Sequence, residues 1–525
     1  MNRKKQLFKA LLALLIMPAI ATNAGAQARP NLSVARLVYN AAKSQANPQG
    51  ELKGKLAVID KAIAEATRMG RTGEVRRLLA QGQTLLVGRE WTDDLDFSNS
   101  LVLRADAVVL DSKQPGSIRI EHIYAPRLQI VGPLTAQVSL HRPRRAALGF
   151  QPGDKIKDLA TQDGLSRDLL DEPCRIELDW TGIEDGAYVV QAEVFDRDKT
   201  LGAASLAVEL RGGLADRLRS IEAGLKKIRG FEARLADVLY PLERIRDVNR
   251  GKMEIGGFQV AEELSAAESV LAALQAGKDP FDGRKGDMER HYLLEGAGEI
   301  MPYRVYIPAK YDGRAPFPLI IALHGLGATE DSFFDAYGKV LPKLAEAHGY
   351  IVAAPLGYRL DGFYGVTVPG MAAGGSAQRK LELSEQDVMN VLALMKKDYA
   401  VDASRIYLMG HSMGAMGTWH LGAKYPDTWA ALALFSGYGV PSTVAGMKHI
   451  PEFVVHGDAD VTLPVALSRA MVAELKKQGV EHTYIEVAGG SHVNIVEPNL
   501  AAAIEFFDAH RKKAPGPHPL KVVHP

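Results

Sequence analysis

Arg405-Ile406-Tyr407-Leu408-Met409 runs directly into Gly410-His411-Ser412-Met413-Gly414, and the reading of this stretch decides the fold. The first part is a short apolar run of the kind that forms a buried strand. The second is Gly-x-Ser-x-Gly, the pattern of a strand that breaks into a sharp turn and then a helix. Such a turn leaves no room for side chains on either flank, and it drives the serine backbone into a strained region. The Ser412 hydroxyl is thereby lifted clear of the sheet at the start of a helix. The stretch therefore predicts an α/β sheet with a nucleophilic serine at one strand end.

A serine hydroxyl needs a base, and neutral imidazole suits that role near pH 7. The imidazole in turn needs a carboxylate to hold its tautomer and stabilise the imidazolium. In this type of sheet both partners follow the serine in the chain. Glu452-Phe453-Val454-Val455 reads as a buried strand leading into the acidic loop His456-Gly457-Asp458-Ala459-Asp460-Val461-Thr462-Leu463-Pro464. Tyr484-Ile485-Glu486-Val487 leads into Ala488-Gly489-Gly490-Ser491-His492. The expected order is Ser412, Asp460, His492, with Asp458 as a competing acid that caps the loop or the helix after it. All three groups are expected at C-terminal strand ends, where open α/β sheets bind ligands.

Upstream, Pro318-Leu319-Ile320-Ile321-Ala322-Leu323 ends in His324-Gly325-Leu326-Gly327. A glycine-bearing loop after an early strand donates one oxyanion-hole N–H, and the residue after the nucleophile donates the other. The donors assigned on this basis are the backbone N–H groups of Leu326 and Met413. His324 and His456, at strand ends, are expected to be hydrogen-bonded structural residues, and His411 a packing or loop residue rather than a base. Asp458-Ala459-Asp460 lacks the glycine and distant glutamate of a calcium loop, and no His-Glu-x-x-His, Cys-x-x-Cys or P-loop pattern occurs, so neither metal nor cofactor is expected.

From about Tyr292 to Phe507 the chain resembles the α/β-hydrolase superfamily. Within it, the likeness is to secreted carboxylesterases of the phospholipase/carboxylesterase and polyhydroxybutyrate-depolymerase/feruloyl-esterase-like group. The likeness is carried by Leu323-His324-Gly325-Leu326-Gly327, Val401 to Leu408, Gly410 to Gly414, Gly417-Thr418-Trp419, His456 to Asp460 with Pro464, and Gly490-Ser491-His492. The resemblance implies an acid two residues past the glycine-aspartate step and four before the proline, which selects Asp460. Ala415 departs from the pattern, since many relatives carry a further glycine there. The implied activity is that of an exported serine hydrolase cleaving carboxylic esters through a Ser-His-Asp triad and an acyl-enzyme. A serine peptidase of prolyl-oligopeptidase type is one alternative, although such enzymes usually carry a β-propeller. A polymer-binding module with a degenerate hydrolase domain is the other.

Arg3, Lys4, Lys5 and Lys9 precede the apolar stretch from Ala10 to Met17, and Ala24-Gly25-Ala26 follows as a small-x-small site. This reads as a secretory signal peptide over 1–26, placing the protein in the periplasm or outside the cell. Residues 27–92 are expected to be helical, with Leu52, Leu56, Ile59, Ile63 and Ala66 at helical spacing. Residues 93–212 break into short alternating runs punctuated by glycine and proline, read as a β-sandwich-like domain. Contact with polysaccharide through that domain is an open expectation. A helical connector over 213–280 leads to the α/β-hydrolase domain over 281–512, and a proline-rich tail over 513–525 is expected to be disordered. Within the hydrolase domain, Leu356 to Lys380 is a long glycine-rich insert before a helix expected near Ser384. Its Tyr358, Phe363 and Tyr364 are candidates either to line an apolar substrate pocket or to pack the loop onto the domain.

The chain of 525 residues has 63 basic and 62 acidic residues. Removing the leader leaves 59 basic residues against the same 62 acidic ones, which gives no indication of nucleic-acid binding. No apolar run of about 20 residues suggests a membrane span. The single Cys174 excludes an internal disulfide. The expected partner is a small-molecule or polymer-borne ester.

Overall fold

The computed structural model describes residues 32–128, 130, 132–145, 150–251, 258–367 and 375–512. The leader over 1–26, the tail over 513–525 and residues 368–374 of the insert lie outside the described residues. The chain divides into two units, residues 1–279 and 280–525.

In the first unit, α1 (Leu32–Ala46), α2 (Gly50–Arg68) and α3 (Thr72–Leu86) pack around Tyr39, Leu56, Ala66, Val75 and Leu79. Their apolar residues recur every three or four positions, so each helix buries one stripe. A short helix, α4 (Asp93–Ser100), starts on Thr92, whose hydroxyl accepts the Leu95 N–H, and its first turn is acidic, as the helix dipole favours. Eight strands follow: β1 (Leu101–Ala105), β2 (Val109–Leu110), β3 (Gly116–His122), β4 (Leu134–Arg145), β5 (Phe150–Leu165), β6 (Cys174–Leu178), β7 (Gly186–Asp196) and β8 (Lys199–Leu210). They form a three-stranded sheet, β1-β3-β6, and a five-stranded sheet, β2-β8-β7-β4-β5. All pairs are antiparallel except the two-residue pairing of β2 with β8. Trp180 is buried against Gly116, where a Cβ would lie 2.5 Å from the indole nitrogen. Cys174 is half-buried and unpaired. Helices α5 (Leu214–Leu225), α6 (Leu235–Asn249) and α7 (Val260–Gln275) complete the unit.

The second unit is built on eight further strands: β9 (Gly286–Leu294), β10 (Glu299–Ile307), β11 (Phe317–Leu323), β12 (Ile351–Pro355), β13 (Val401–His411), β14 (Ala431–Phe435), β15 (Glu452–Gly457) and β16 (His482–Val487). Their order is β16-β15-β14-β13-β11-β12-β10-β9. The six strands from β11 onward run parallel to their neighbours, and the β9–β10 hairpin joins antiparallel through β10. This is the α/β-hydrolase topology. Strands β14 and β15 are buried at every position, as expected of parallel strands covered on both faces.

Helices α8 (Ser332–Asp335), α9 (Val340–His348), α10 (Gly375–Asp398), α11 (Met413–Lys424), α12 (Ala466–Gln478) and α13 (Val496–Ala509) supply that cover. Leu341 and Ala345 of α9 and Leu500, Ile504 and Phe507 of α13 pack on Ile320, Val352, Tyr407, Met409 and Phe453. Gly422 of α11 approaches Leu432 from the other side. Helix α10 begins nine residues before Ser384, contrary to the sequence expectation. Ala377, Leu381, Ser384 and Val388 continue its inward face back to that point, so the insert is shorter than its composition suggested.

Candidate active site

Ser412 lies between β13 and α11 with φ 57° and ψ −117°. A non-glycine residue in such a region is strained by about 1–3 kcal/mol. The surrounding backbone enforces it. A Cβ on Gly410 would lie 2.3 Å from the Gly414 carbonyl carbon, and one on Gly414 would lie 2.0 Å from Leu323 O. The Ser412 N–H donates to Phe435 O at 2.9 Å, which ties the turn to the next strand.

The three residues ordered from the sequence meet in one row. The Ser412 hydroxyl donates to His492 Nε2 at 2.8 Å, and His492 Nδ1–H donates to Asp460 Oδ2 at 2.7 Å. Asp460 Oδ1 accepts the N–H groups of Thr462 and Leu463 at 2.8 and 2.9 Å. Burial alone would raise the Asp460 carboxyl, but hydrogen bonds from His456, His492 and Leu463 outweigh it and hold the group far below the usual carboxylate range. Asp458 takes no part. It is exposed, and its Oδ1 accepts the Gly489 N–H at 2.6 Å, which pins the loop that carries His492.

The loop after β11 lies against this row. A Cβ on Gly325 would sit 3.4 Å from both Ser412 Cβ and His411 Nδ1. Leu326 follows, and Met413 opens α11, where a first-turn N–H has no acceptor within the helix. The loop is braced from behind. His324 is buried with Nε2 2.6 Å from Leu356 O, the Gly327 N–H donates to Leu360 O at 2.9 Å, and the Tyr364 hydroxyl donates to His324 O at 3.1 Å.

These contacts bear on the two readings left open for the insert. Tyr364 is fully buried, its ring in contact range of Gly357 and Gly417, so it braces the loop and does not line a pocket. Tyr358 is half-buried, its ring under the Arg359 guanidinium at 3.8 Å, while Arg359 pairs with Glu299 at 2.8 Å. Phe363 is half-buried. The insert is anchored by two α10 residues: buried Asp387 accepts the Gly357 and Tyr358 N–H groups at 2.6 and 2.9 Å, and Ser384 Oγ accepts the Tyr364 N–H at 2.9 Å.

Two histidines read as merely structural touch the row itself. His411 Nε2–H donates to His492 O at 2.8 Å, and its Nδ1 accepts the Tyr337 hydroxyl at 2.8 Å. Burial first, and then His492, push the His411 ring down to about 4, so it stays neutral at working pH. His456 is fully buried with Nε2 3.1 Å from Asp460 Oδ2. Its place four residues before the acid was visible in the sequence, but nothing there said that its ring turns back onto the carboxylate.

Residues 295–496 match the Esterase family. A bifunctional acetylxylan esterase/xylanase of Neocallimastix patriciarum is 30% identical over 169 residues, 32% of this chain and 22% of that protein. Feruloyl esterase B of Neurospora crassa is 32% identical over 135 residues, 25% of this chain and 42% of that protein. The chain thus spans less than half the length of either relative. The solved S-formylglutathione hydrolase from Agrobacterium tumefaciens aligns with 44% of this chain and 97% of its own at 16% identity, with a TM-score of 0.37.

Proposed function

We propose that the second unit hydrolyses carboxylic esters with Ser412 as nucleophile, His492 as base and then acid, and Asp460 as the orienting carboxylate. The observation that carries this reading is the single histidine hydrogen-bonded at once to Ser412 and Asp460. In the proposed cycle His492 takes the Ser412 proton as Oγ attacks the ester carbonyl. The Leu326 and Met413 N–H groups face the tetrahedral oxyanion, as backbone donors do in this fold. His492 gives its proton to the leaving alcohol, then takes one from water to release the acid.

Support for the ester class comes from the two relatives, one named as an acetylxylan esterase and one as a feruloyl esterase. A polymer-borne ester is accordingly the proposed substrate, and the sheets of residues 93–212 are the proposed place for polysaccharide contact. The peptidase reading has less support. The described residues of the first unit hold one three-stranded and one five-stranded sheet, not repeated four-stranded blades. Export rests on the leader read over 1–26, and no helix among the described residues is long and apolar enough to cross a membrane.

The test is hydrolysis of p-nitrophenyl acetate, butyrate and octanoate and of methyl ferulate by the mature protein beside Ser412→Ala. Loss of at least about 10³-fold in the variant is expected. A Ser412→Ala protein that hydrolyses these esters like the wild type would sink the proposal. N-terminal sequencing of the protein recovered from the periplasm or medium checks export, with cleavage after Ala26 expected.

A further inference from the structure

Asp460 holds more than one imidazole. Its Oδ2 lies 2.7 Å from His492 Nδ1 and 3.1 Å from His456 Nε2, and its Oδ1 takes two backbone N–H groups. Three N–H donors are hydrogen-bonded to the two oxygens, and the His456 ring nitrogen stands against the oxygen that holds His492. His456 Nε2 also lies 2.9 Å from Leu463 O. A carbonyl and a carboxylate can only accept, so that nitrogen must carry the hydrogen. The far side of the ring is fixed by Ser468, whose Oγ lies 2.7 Å from His456 Nδ1 and 2.7 Å from Gly437 O. Ser468 has one proton to give to either neighbour. With Nε2–H fixed, Nδ1 of the neutral ring can only accept, so Ser468 gives that proton to His456, while Nε2–H bonds Leu463 O with Asp460 Oδ2 3.1 Å away.

We propose that His456 is a positioning residue for ester hydrolysis, acting through Asp460: its Nε2–H, bonded to Leu463 O, stands 3.1 Å from the carboxylate oxygen that holds His492, confining that oxygen and offsetting part of its charge. Two consequences follow for the row. The proton between Asp460 and His492 stays on His492 Nδ1, the tautomer that leaves Nε2 free to take the Ser412 proton. Without the nearby His456 N–H, the Asp460 charge would bear more fully on His492. The proposal rests on the reading of Ser412, His492 and Asp460 given above.

The other charged groups around His456 do not mimic this effect. Glu486 lies across from it on β16 and is held down to about 2 by Arg469 and Tyr484, so its charge is constant through the neutral range. His411 stays neutral, and Asp458 is directed to the Gly489 N–H.

The experiment measures the rate of fluorophosphonate labelling and of p-nitrophenyl butyrate hydrolysis against pH, normalised to titrated active sites so that unfolded protein does not count. In His456→Leu the acid limb of both profiles should move to higher pH by on the order of one unit. At the wild-type optimum, kcat should fall roughly 10- to 100-fold with KM little changed, as Asp460 loses the group that confines it. His456→Gln, whose amide N–H reaches the place of Nε2–H, should restore the wild-type limb. A purely structural residue would change the amount of active protein but not the limb. An unmoved limb in active His456→Leu overturns the proposal, as does a limb moved equally by Leu and Gln.

If neither variant folds, the wild-type protein decides. With ¹⁵N-labelled histidine, His456 should show the Nε2–H tautomer across the pH range in which activity is lost, and its signal should move in Asp460→Asn. A His456 found as the Nδ1–H tautomer overturns the proposal. Ser412→Ala separates the two readings: if it still hydrolyses esters, the triad reading fails first, and if it does not, a null result at His456 condemns His456 alone.

Discussion

Two loops of the second unit reach the same place by opposite means. The turn over 410–414 holds one strained residue, Ser412, and enforces the strain with backbone atoms of its immediate neighbours. The loop over 356–367 holds three strained aromatic residues, Tyr358, Phe363 and Tyr364, at φ 64°, 57° and 51°. Bulky side chains are rarely found there, and what anchors Tyr358 and Tyr364 comes from far along the chain: Asp387, Ser384 and His324. Local sterics fix the first loop, so its residue types announce it. The second is fixed by partners, so its residue types are ambiguous until the partners are known.

The contrast breaks most sharply at the turn. In Gly414→Ala the added methyl meets Leu323 O at 2.0 Å, and backbone cannot move aside as a side-chain tip can. We expect loss of soluble protein, or at least about a 10³-fold fall in ester hydrolysis among molecules that fold. A soluble, fully active Gly414→Ala protein would show that the turn is not locally enforced.

The matching substitution in the other loop is Tyr364→Ala. Removing a large buried aromatic should lower stability by about 3–5 kcal/mol, read as a shift of the urea midpoint. Tyr364→Phe keeps the ring and removes only the bond to His324 O, so about 1–2 kcal/mol is expected. Because that bond braces the loop carrying Leu326, kcat should fall with KM nearly constant. If Tyr364→Phe instead raised KM alone, the pocket-lining role excluded by its burial would return.

The same distinction explains what the sequence revealed. Short continuous apolar runs such as Pro318 to Leu323 and Phe453 to Val455, each ending in glycine-bearing loops, fit strands covered on both faces, so the parallel sheet was legible. Gly-x-Ser-x-Gly announces its geometry through sterics alone. Ser412, Asp460 and His492 could be named in order because each sits where a strand ends. The supporting groups carry no such mark. His456 reaches Asp460 by turning back over one loop, His411 binds a carbonyl 81 residues away, and Asp387 holds amides about 30 residues upstream. Their roles are set by the tertiary fold, and an isolated histidine or aspartate looks the same with or without such a partner.

Asp387 tests whether those distant anchors matter energetically. Burial raises its carboxyl to about 6, despite bonds from Tyr292, Tyr358 and Gly357 that favour the ion. A carboxyl with a folded value above the unfolded value of about 3.9 binds more protons in the native state at intermediate pH. Its contribution to stability is therefore present in full below about pH 4 and lost as pH rises toward 6, then level. Relative to Asp387→Asn, wild type should lose about 2–3 kcal/mol of stability between pH 4 and pH 7. Parallel urea midpoints for the two proteins across that range would mean that Asp387 is ionised throughout and that its three donors outweigh burial.

The smallest effect separates the two remaining aromatics of the loop. The Tyr358 hydroxyl is 3.5 Å from Glu299, at the limit of a hydrogen bond, and accepts at 3.1 Å from Arg359, which itself binds that carboxylate at 2.8 and 3.0 Å on the partly exposed surface. Tyr358→Phe keeps the ring under the Arg359 guanidinium and should change stability by less than about 0.5 kcal/mol. Phe363 has no polar tip to lose, and it is half-buried where Tyr364 is fully buried. We propose that Phe363, half-buried as Tyr358 is but without its polar partners, offers aromatic surface to an acyl or aryl group. Phe363→Ala should then raise KM for p-nitrophenyl octanoate and methyl ferulate several-fold, leave p-nitrophenyl acetate unchanged, and leave kcat alone. Equal effects on all three esters would mean that Phe363 holds the loop in place as Tyr364 does, and that the loop is scaffold along its whole described length.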